Sequence, residues 1–197
     1  KKLKKDNPNV TFIALDLPLD RGTLSVYSNY NKLGRILGNI LINSLEKKDK
    51  VLLIETEDDM ISAKESFNGL YQKLLEEDKC EIVGPYFVSD LEHNIEDVVN
   101  QYLSKDIKSI YASRFQESII EHILKQNQYE LKIVTIGLSG NIKNYIKNNI
   151  VLASVTQDYY KIGYMAVNIL FDYLYKGIMP DNIRNEYECR IVVKENL

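Results

Sequence analysis

Polar side chains that could bind a small molecule follow a short apolar segment near residue 155. Gln157 and Asp158 come directly after Ala-Ser-Val-Thr, whose small and β-branched residues suit a packed strand. An apolar stripe of helical period begins at once, at Ile162, Met165, Ala166, Ile169, Leu170 and Tyr173. Open α/β sheets place small ligands between the carboxyl end of a strand and the start of a helix. The segment therefore predicts a ligand contact at Gln157, with Asp158 as a helix cap or a second contact.

The familiar catalytic motifs are absent from the sequence. It contains no Gly-x-Gly-x-x-Gly, P-loop or Gly-x-Ser-x-Gly pattern, and its two histidines lie near no plausible nucleophile or ligand cluster. Only the acidic run Glu57-Asp58-Asp59, after an apolar strand, could hold Mg²⁺ or assist phosphate chemistry. The sequence therefore predicts a protein without a catalytic residue, metal or cofactor. If the chain is an enzyme after all, the remaining alternative is a nucleotide-using α/β enzyme.

Composition narrows the classes of protein further. The chain of 197 residues is 45% hydrophobic, which allows a sizeable core, and its net charge of −3 provides no basic field for nucleic acid. Its apolar runs fall short of the ~20 residues that a membrane-spanning helix needs. These properties are typical of one globular domain, or of one domain and part of a second.

Apolar strands alternate with amphipathic helices along the chain. Strands are predicted over residues 10–15, 51–54, 81–88, 109–112, 133–136, 151–156 and 187–193. Gly34 and Gly38 lie one turn apart on a predicted helix, which indicates close approach by another backbone. The alternation predicts an α/β fold with a parallel sheet and helices on both of its faces.

Several segments resemble, in the same order, those of type I periplasmic binding proteins, which share their fold with the effector domains of lactose-repressor-type regulators. The similar segments are Ser25–Arg35, Lys50–Ile54, Ala63–Leu70, Ser109–Ala112, Lys132–Gly137, Ala153–Val167 and the tail Ile191–Leu197. The resemblance implies a C-terminal lobe plus part of an N-terminal lobe. Residues 1–27 would be a remnant of the N-terminal lobe and the first crossover, and residues 28–154 the C-terminal lobe. Residues 155–197 would form the last crossover, the C-terminal helix and the tail.

The resemblance also implies which residues bind the ligand, in a cleft that closes by hinge motion. Asp16 matches an acidic residue after the first strand, Lys64 stands where the family often has a ligand-binding Arg, and Gln157 matches a polar residue of the last crossover. The remaining predicted ligand-binding residues are Arg21, Arg114, Ser139 and Asp158.

Departures from the family pattern leave the ligand open. Arg114-Phe115 replaces an Asn-Asp pair, Ser139 stands in a segment without the common sugar-binding Asp, and Leu17 replaces a frequent Arg that Arg21 could substitute. A carbohydrate-like ligand is implied, and an anionic one remains an alternative because of the cations in this set.

Four of these positions also have a purely structural interpretation. Asp16 could be a turn residue, Lys64 a solvated charge, and Asp158 a helix cap. Arg114 could cap a helix or pair with Glu117, three residues further along the chain. The sequence does not decide between these interpretations and ligand binding.

The resemblance predicts a non-catalytic domain of a solute-binding protein, which feeds a transporter or a membrane sensor kinase. Such a protein would lie outside the cytoplasm, either secreted or anchored to a membrane. The alternative is the effector-binding domain of a cytoplasmic transcription regulator, which would reach DNA through a domain upstream of Lys1. A homodimer is an option in both cases.

Overall fold

The computed structural model describes residues 2–57, 59–88, 92–103, 106–126 and 130–197. The chain forms two compact units, a smaller one of Lys1–Asn29 with Gln157–Arg190 and a larger one of Tyr30–Thr156 with Ile191–Leu197. In chain order the elements are α1 (Lys2–Asp6), β1 (Ile13–Asp16), β2 (Leu24–Ser28), α2 (Tyr30–Ser44), β3 (Lys50–Thr56), α3 (Ile61–Glu77), β4 (Glu81–Val88), α4 (Glu92–Tyr102), β5 (Ile107–Ala112), α5 (Gln116–Lys125), β6 (Lys132–Ile136), α6 (Gly140–Lys147), β7 (Ala153–Gln157), α7 (Tyr159–Lys176), β8 (Arg184–Tyr187), β9 (Cys189–Val192) and a 3-10 turn (Lys194–Asn196).

The larger unit is built on a six-stranded sheet in the order β4-β3-β5-β6-β7-β9. The pairs β3–β4, β3–β5, β5–β6 and β6–β7 are parallel. On one face, Leu52 and Ile110 belong to a core cluster with residues of α4, α5 and α6. On the other face, Tyr111 of β5 meets Phe67 of α3, with ring centroids 6.2 Å apart. The predicted parallel sheet with helices on both faces is thereby confirmed.

Helices α2 and α3 pack against each other with almost no space between their backbones. A Cβ atom added to Gly69 would lie 2.0 Å from the carbonyl oxygen of Asn31, and one added to Gly34 would lie 1.9 Å from that of Ser66. At Gly38 the nearest atom would be 3.0 Å away. The predicted close approach at Gly34 and Gly38 is confirmed, and Gly69 is its counterpart on α3.

The smaller unit contains a three-stranded parallel sheet in the order β1-β2-β8. Helix α7 packs on this sheet through Ile162 and Ala166, which contact Val26 of β2. The helix ends at Gly177, whose φ of 68° is in the left-handed region that favours glycine at a C-cap. The stripe that predicted this helix therefore gave its inward face correctly.

The predicted strand over residues 187–193 is wrong in one respect. The chain forms two strands here, β8 and β9, separated at Glu188. They belong to different sheets, because β8 pairs with β2 of the smaller unit and β9 is an edge strand of the larger one. The alternation of apolar and polar residues predicts a strand, but it does not indicate which sheet the strand joins. Among the described residues, no helix is long and apolar enough to cross a membrane.

Candidate functional site

Three of the predicted site residues in the larger unit follow neighbouring strands. Lys64 lies in the first turns of α3, after β3, whereas Arg114 and Ser139 follow β5 and β6. Strands β3, β5 and β6 are adjacent and parallel, so their carboxyl ends meet at one edge of the sheet. This edge brings the three side chains to the position that open α/β sheets use for ligands.

Side-chain hydrogen bonds hold these strand ends together. The Ser113 hydroxyl accepts from the backbone N–H of Thr56 at 2.9 Å, which joins the ends of β5 and β3. The Gln116 side chain joins β5 to β6, because it accepts from the N–H of Ile136 at 3.0 Å and donates to the carbonyl of Ala112 at 2.9 Å. The edge is therefore preorganised before any ligand arrives.

Lys64 is surrounded by negative charge in the larger unit. Its Nζ lies 2.8 Å from Oδ1 of Asp59, and this hydrogen bond lowers the pKa of the Asp59 carboxyl. Burial raises the pKa of the Glu55 carboxyl near the end of β3, and the charge of Lys64 partly offsets this rise. The two carboxylates compensate the single ammonium group, so this part of the edge has no surplus of positive charge.

Arg114 and its neighbour form a cation–aromatic pair. The Arg114 guanidinium lies 4.9 Å from the ring centroid of Phe115. Phe115 precedes α5 with a φ of 58°, a left-handed conformation that is uncommon for a bulky residue. A flat, positively charged group over a ring presents both donors and an apolar surface beside the end of β5.

Ser139 already has two hydrogen-bond partners. Its hydroxyl accepts from the N–H of Ile142 at 3.1 Å, so it caps α6, and it donates to Glu117 at 2.6 Å. The second carboxylate oxygen of Glu117 accepts from Asn141 at 2.7 Å. Ser139 therefore has a structural role, and Glu117 places a carboxylate beside it.

In the smaller unit, Asp16 ends β1 in a strained conformation. Its φ is 72°, and the N–H of Leu17 donates to the carbonyl of Leu15 at 2.9 Å, which closes a three-residue turn around it. Such backbone strain costs about 1–3 kcal/mol and is concentrated at functional sites. The interpretation of Asp16 as a turn residue is confirmed, and this turn presents a carboxylate that can accept hydroxyl donors.

Gln157 and Asp158 lie at the junction of β7 and α7. Gln157 is only 5% exposed, whereas Asp158 precedes α7 and its carboxylate accepts from the N–H of Lys161 at 3.1 Å. The prediction that Asp158 caps this helix is confirmed. Arg21 is exposed in a turn held by Asp20, whose pKa is lowered by its hydrogen bonds from Thr23 and Gly22.

We expect Asp158→Ala to lower the free energy of unfolding by ~1 kcal/mol, because the first turn of α7 loses its cap. The matched control is Asp172→Ala on the same helix, which loses an exposed pair with Lys176 worth only ~0.3–0.5 kcal/mol. Urea denaturation followed by circular dichroism measures both. Equal losses in the two variants would show that the cap contributes nothing beyond surface charge.

Three polar residues of the larger unit were missed from the sequence, namely Glu55, Gln116 and Glu117. Glu55 directly follows four buried residues of β3. A charged residue directly after such an apolar run could have been recognised in the sequence as a candidate site residue. The roles of Gln116 and Glu117 depend on which strand ends lie side by side, and spacing along the chain does not give this.

No metal site is evident among the residues that the structure describes, because no three or more His, Cys, Asp or Glu side chains are grouped to hold an ion. Asp58, the centre of the acidic run that suggested Mg²⁺ chemistry, lies outside the described residues. The remaining acidic residues of that segment include Asp59, which is paired with Lys64.

Comparison with known proteins identifies the family. A family model described as a periplasmic binding protein domain matches residues 1–177, so the chain belongs to this family. No curated protein matches the chain significantly.

Solved structures share the fold at low sequence identity. A periplasmic solute-binding protein of an ABC transporter from Actinobacillus succinogenes, with bound D-allose, has a TM-score of 0.84 and 15% identity, over 98% of this chain and 72% of its own. A XylFII–LytSN complex has a TM-score of 0.80 and 16% identity, over 100% and 81%. A putative LacI transcriptional regulator from Bacteroides fragilis has a TM-score of 0.81 and 15% identity, over 100% and 73%. The similar structures thus include sugar-binding proteins and a LacI-type regulator.

Proposed function

We propose that this chain is a non-catalytic domain that binds a sugar or a sugar-like polyol. The observation that carries the proposal is the edge of the larger sheet, where Lys64, Arg114 and Ser139 follow three adjacent parallel strands. The hydrogen bonds of Ser113 and Gln116 fix those strand ends. Membership of the periplasmic binding protein family and similarity to a structure with bound D-allose support a carbohydrate as the ligand class.

The charges at this edge favour a neutral sugar over an anionic one. Lys64 pairs with Asp59 and interacts with Glu55, so an anionic ligand would meet two carboxylates beside the one ammonium group. Glu117 adds a further carboxylate next to Ser139. This edge therefore holds three carboxylates against two cations, of which Arg114 is the second. Carboxylates accept hydrogen bonds from hydroxyl groups, and a polyol offers many such donors.

Residues of the smaller unit are proposed as ligand contacts as well. Asp16 would accept from hydroxyl groups at its strained turn, and the amide of Gln157 can both donate and accept. Arg21 and Asp158 are proposed as further contacts, with Asp158 retaining its role as a cap.

Two cellular roles fit such a domain. We favour a solute-binding protein outside the cytoplasm that serves a transporter or a membrane sensor, as the family and the XylFII–LytSN complex suggest. Similarity to a putative LacI regulator supports the alternative of a cytoplasmic effector-binding domain that acts on DNA through another domain. Fractionation of the source cells, with detection by an antibody, distinguishes the two roles.

The proposal is tested by a thermal-shift screen of the whole chain against neutral sugars, sugar acids, sugar phosphates and nucleosides. A neutral sugar at 100 times its dissociation constant should stabilise the folded chain by about 2.7 kcal/mol. Stabilisation by sugar acids or phosphates alone would contradict the assignment of a neutral ligand. Stabilisation by none of these compounds would contradict sugar binding itself.

A further inference from the structure

Helix α7 is apolar on two opposite faces. Its inner face packs on the sheet of the smaller unit, with Ile162 and Ala166 only 2% and 3% exposed. Its outer face consists of Tyr160, Tyr164, Val167, Phe171, Leu174, Tyr175 and, directly after the C-cap, Ile178; these residues are 49–81% exposed. A helix that is hydrophobic all round is normally buried on all sides. The outer face therefore has the composition of an interface.

The outer face has the spacing of a helix-pairing seam. Within the helix, its members Tyr160, Tyr164, Val167, Phe171 and Leu174 follow one another at intervals of 4, 3, 4 and 3 residues, which is the heptad pattern of helices that pack side by side. The charged residues of α7 lie beside the seam rather than in it. Lys176, for example, pairs with Asp172 of its own helix at 2.7 Å. The Lys176 ammonium group also lies 5.3 Å from the centroid of the Phe171 ring, so this ion pair flanks the seam at Phe171.

From Tyr164 to Leu174 the intervals are 3, 4 and 3 residues, an order that reads the same in both directions. An antiparallel copy of the helix, related by a two-fold axis, would therefore place apolar residues against apolar residues along this stretch. The opposed positions would be 164 with 174, and 167 with 171. Both pairs combine one aromatic with one aliphatic side chain, so large groups meet smaller ones.

The exposed area suits a stable dimer. The four aromatic residues of the outer face are 49–81% exposed, and at about 200 Å² each they leave roughly 500 Å² of surface in water. Val167, Leu174 and Ile178, at 55–65% exposure, bring the face close to the ~800 Å² per partner of a standard interface. Phe171 and Tyr175 already stack, with centroids 5.1 Å apart, so part of the surface is ordered in advance.

We infer that the outer face of α7 is a homodimer interface, in which two copies of this chain pack their α7 helices antiparallel about a two-fold axis. This inference does not depend on the proposed ligand. A second copy is the partner because the seam from Tyr164 to Leu174 is complementary to itself in spacing and in side-chain size, and none of its own members is charged.

The test is the mass of the whole chain in solution, measured by light scattering and sedimentation over micromolar concentrations. We expect a dimer for the unmodified chain. Val167→Lys and Phe171→Glu should each raise the dissociation constant of the dimer by at least about 100-fold, because each buries an unpaired charge. The double variant places the new lysine opposite the new glutamate of the copy, and we expect it to recover the dimer. Leu75→Glu, at an exposed apolar position of α3, is the control that should remain dimeric.

Circular dichroism establishes that every variant is folded, which is expected because the substituted residues are exposed. A monomeric unmodified chain would overturn the inference. So would a monomer whose α7 amides are protected from hydrogen exchange by another polypeptide or by added lipid vesicles. A dimer that neither single substitution weakens, or that the double variant fails to restore, would place the interface or its register elsewhere.

Discussion

Gly69→Ala is expected to destabilise the larger unit by about 2 kcal/mol or more. The added methyl group would lie 2.0 Å from the carbonyl oxygen of Asn31, so α2 and α3 must separate. Overpacking of this kind typically costs 1–3 kcal/mol or more, and the better helix propensity of alanine returns only about 1 kcal/mol. Urea denaturation followed by circular dichroism measures the change in the free energy of unfolding.

Asn68→Ala is the matched control for this substitution, because Asn68 is the exposed neighbour of Gly69 on α3. Alanine favours the helix over asparagine by about 0.5 kcal/mol, so a small gain in stability is expected there. A Gly69→Ala variant that is as stable as Asn68→Ala would show that the two helices are not in backbone contact.

Lys64→Ala is expected to weaken sugar binding by roughly 10- to 100-fold while leaving the fold intact. Loss of a hydrogen bond from a charged donor typically costs ~1.5–3 kcal/mol. The change in stability without ligand should be small, since the pair with Asp59 is exposed. Isothermal titration calorimetry with the sugar identified by the screen measures the change in affinity.

Two further variants make the Lys64 result specific. Lys73→Ala removes a lysine from the same helix, where it pairs with Glu77, and affinity should not change. Lys64→Arg retains the charge and adds a bidentate fork, so most of the affinity should remain. Equal losses in Lys64→Ala and Lys73→Ala would mean that charge on α3, rather than contact with the ligand, affects binding.

The fold was predictable because each element carries its own signal. Alternating apolar strands and amphipathic helices indicated the parallel sheet, Gly34 and Gly38 indicated the tight helix contact, and Asp158 marked the start of α7. These signals are local, and the structure confirms them. The division of residues 187–193 between two sheets was not predictable, since Glu188 carries no sign that its flanking strands separate.

Only part of the candidate site could be predicted from the sequence. The resemblance implied Lys64, Arg114 and Ser139 as separate contacts, and the strand order of the structure brings them to one sheet edge. The charge around Lys64 was not predicted, because it depends on the partial burial of Glu55 and on the position of Asp59. Likewise, the stripe that identified the inner face of α7 did not indicate that its outer face is apolar. Seven residues were predicted to bind the ligand, namely Asp16, Arg21, Lys64, Arg114, Ser139, Gln157 and Asp158. That they bind it remains a prediction.

The most direct test of the central claim is a calorimetric titration of the whole chain with its best neutral sugar, followed by NMR analysis of the recovered ligand. The account predicts saturable binding of one sugar per chain, a recovered sugar that is chemically unchanged, and weaker binding by Lys64→Ala than by Lys73→Ala. Chemical conversion of the sugar would contradict the non-catalytic assignment. Saturable binding of sugar acids or phosphates with no heat from any neutral sugar would contradict the ligand class.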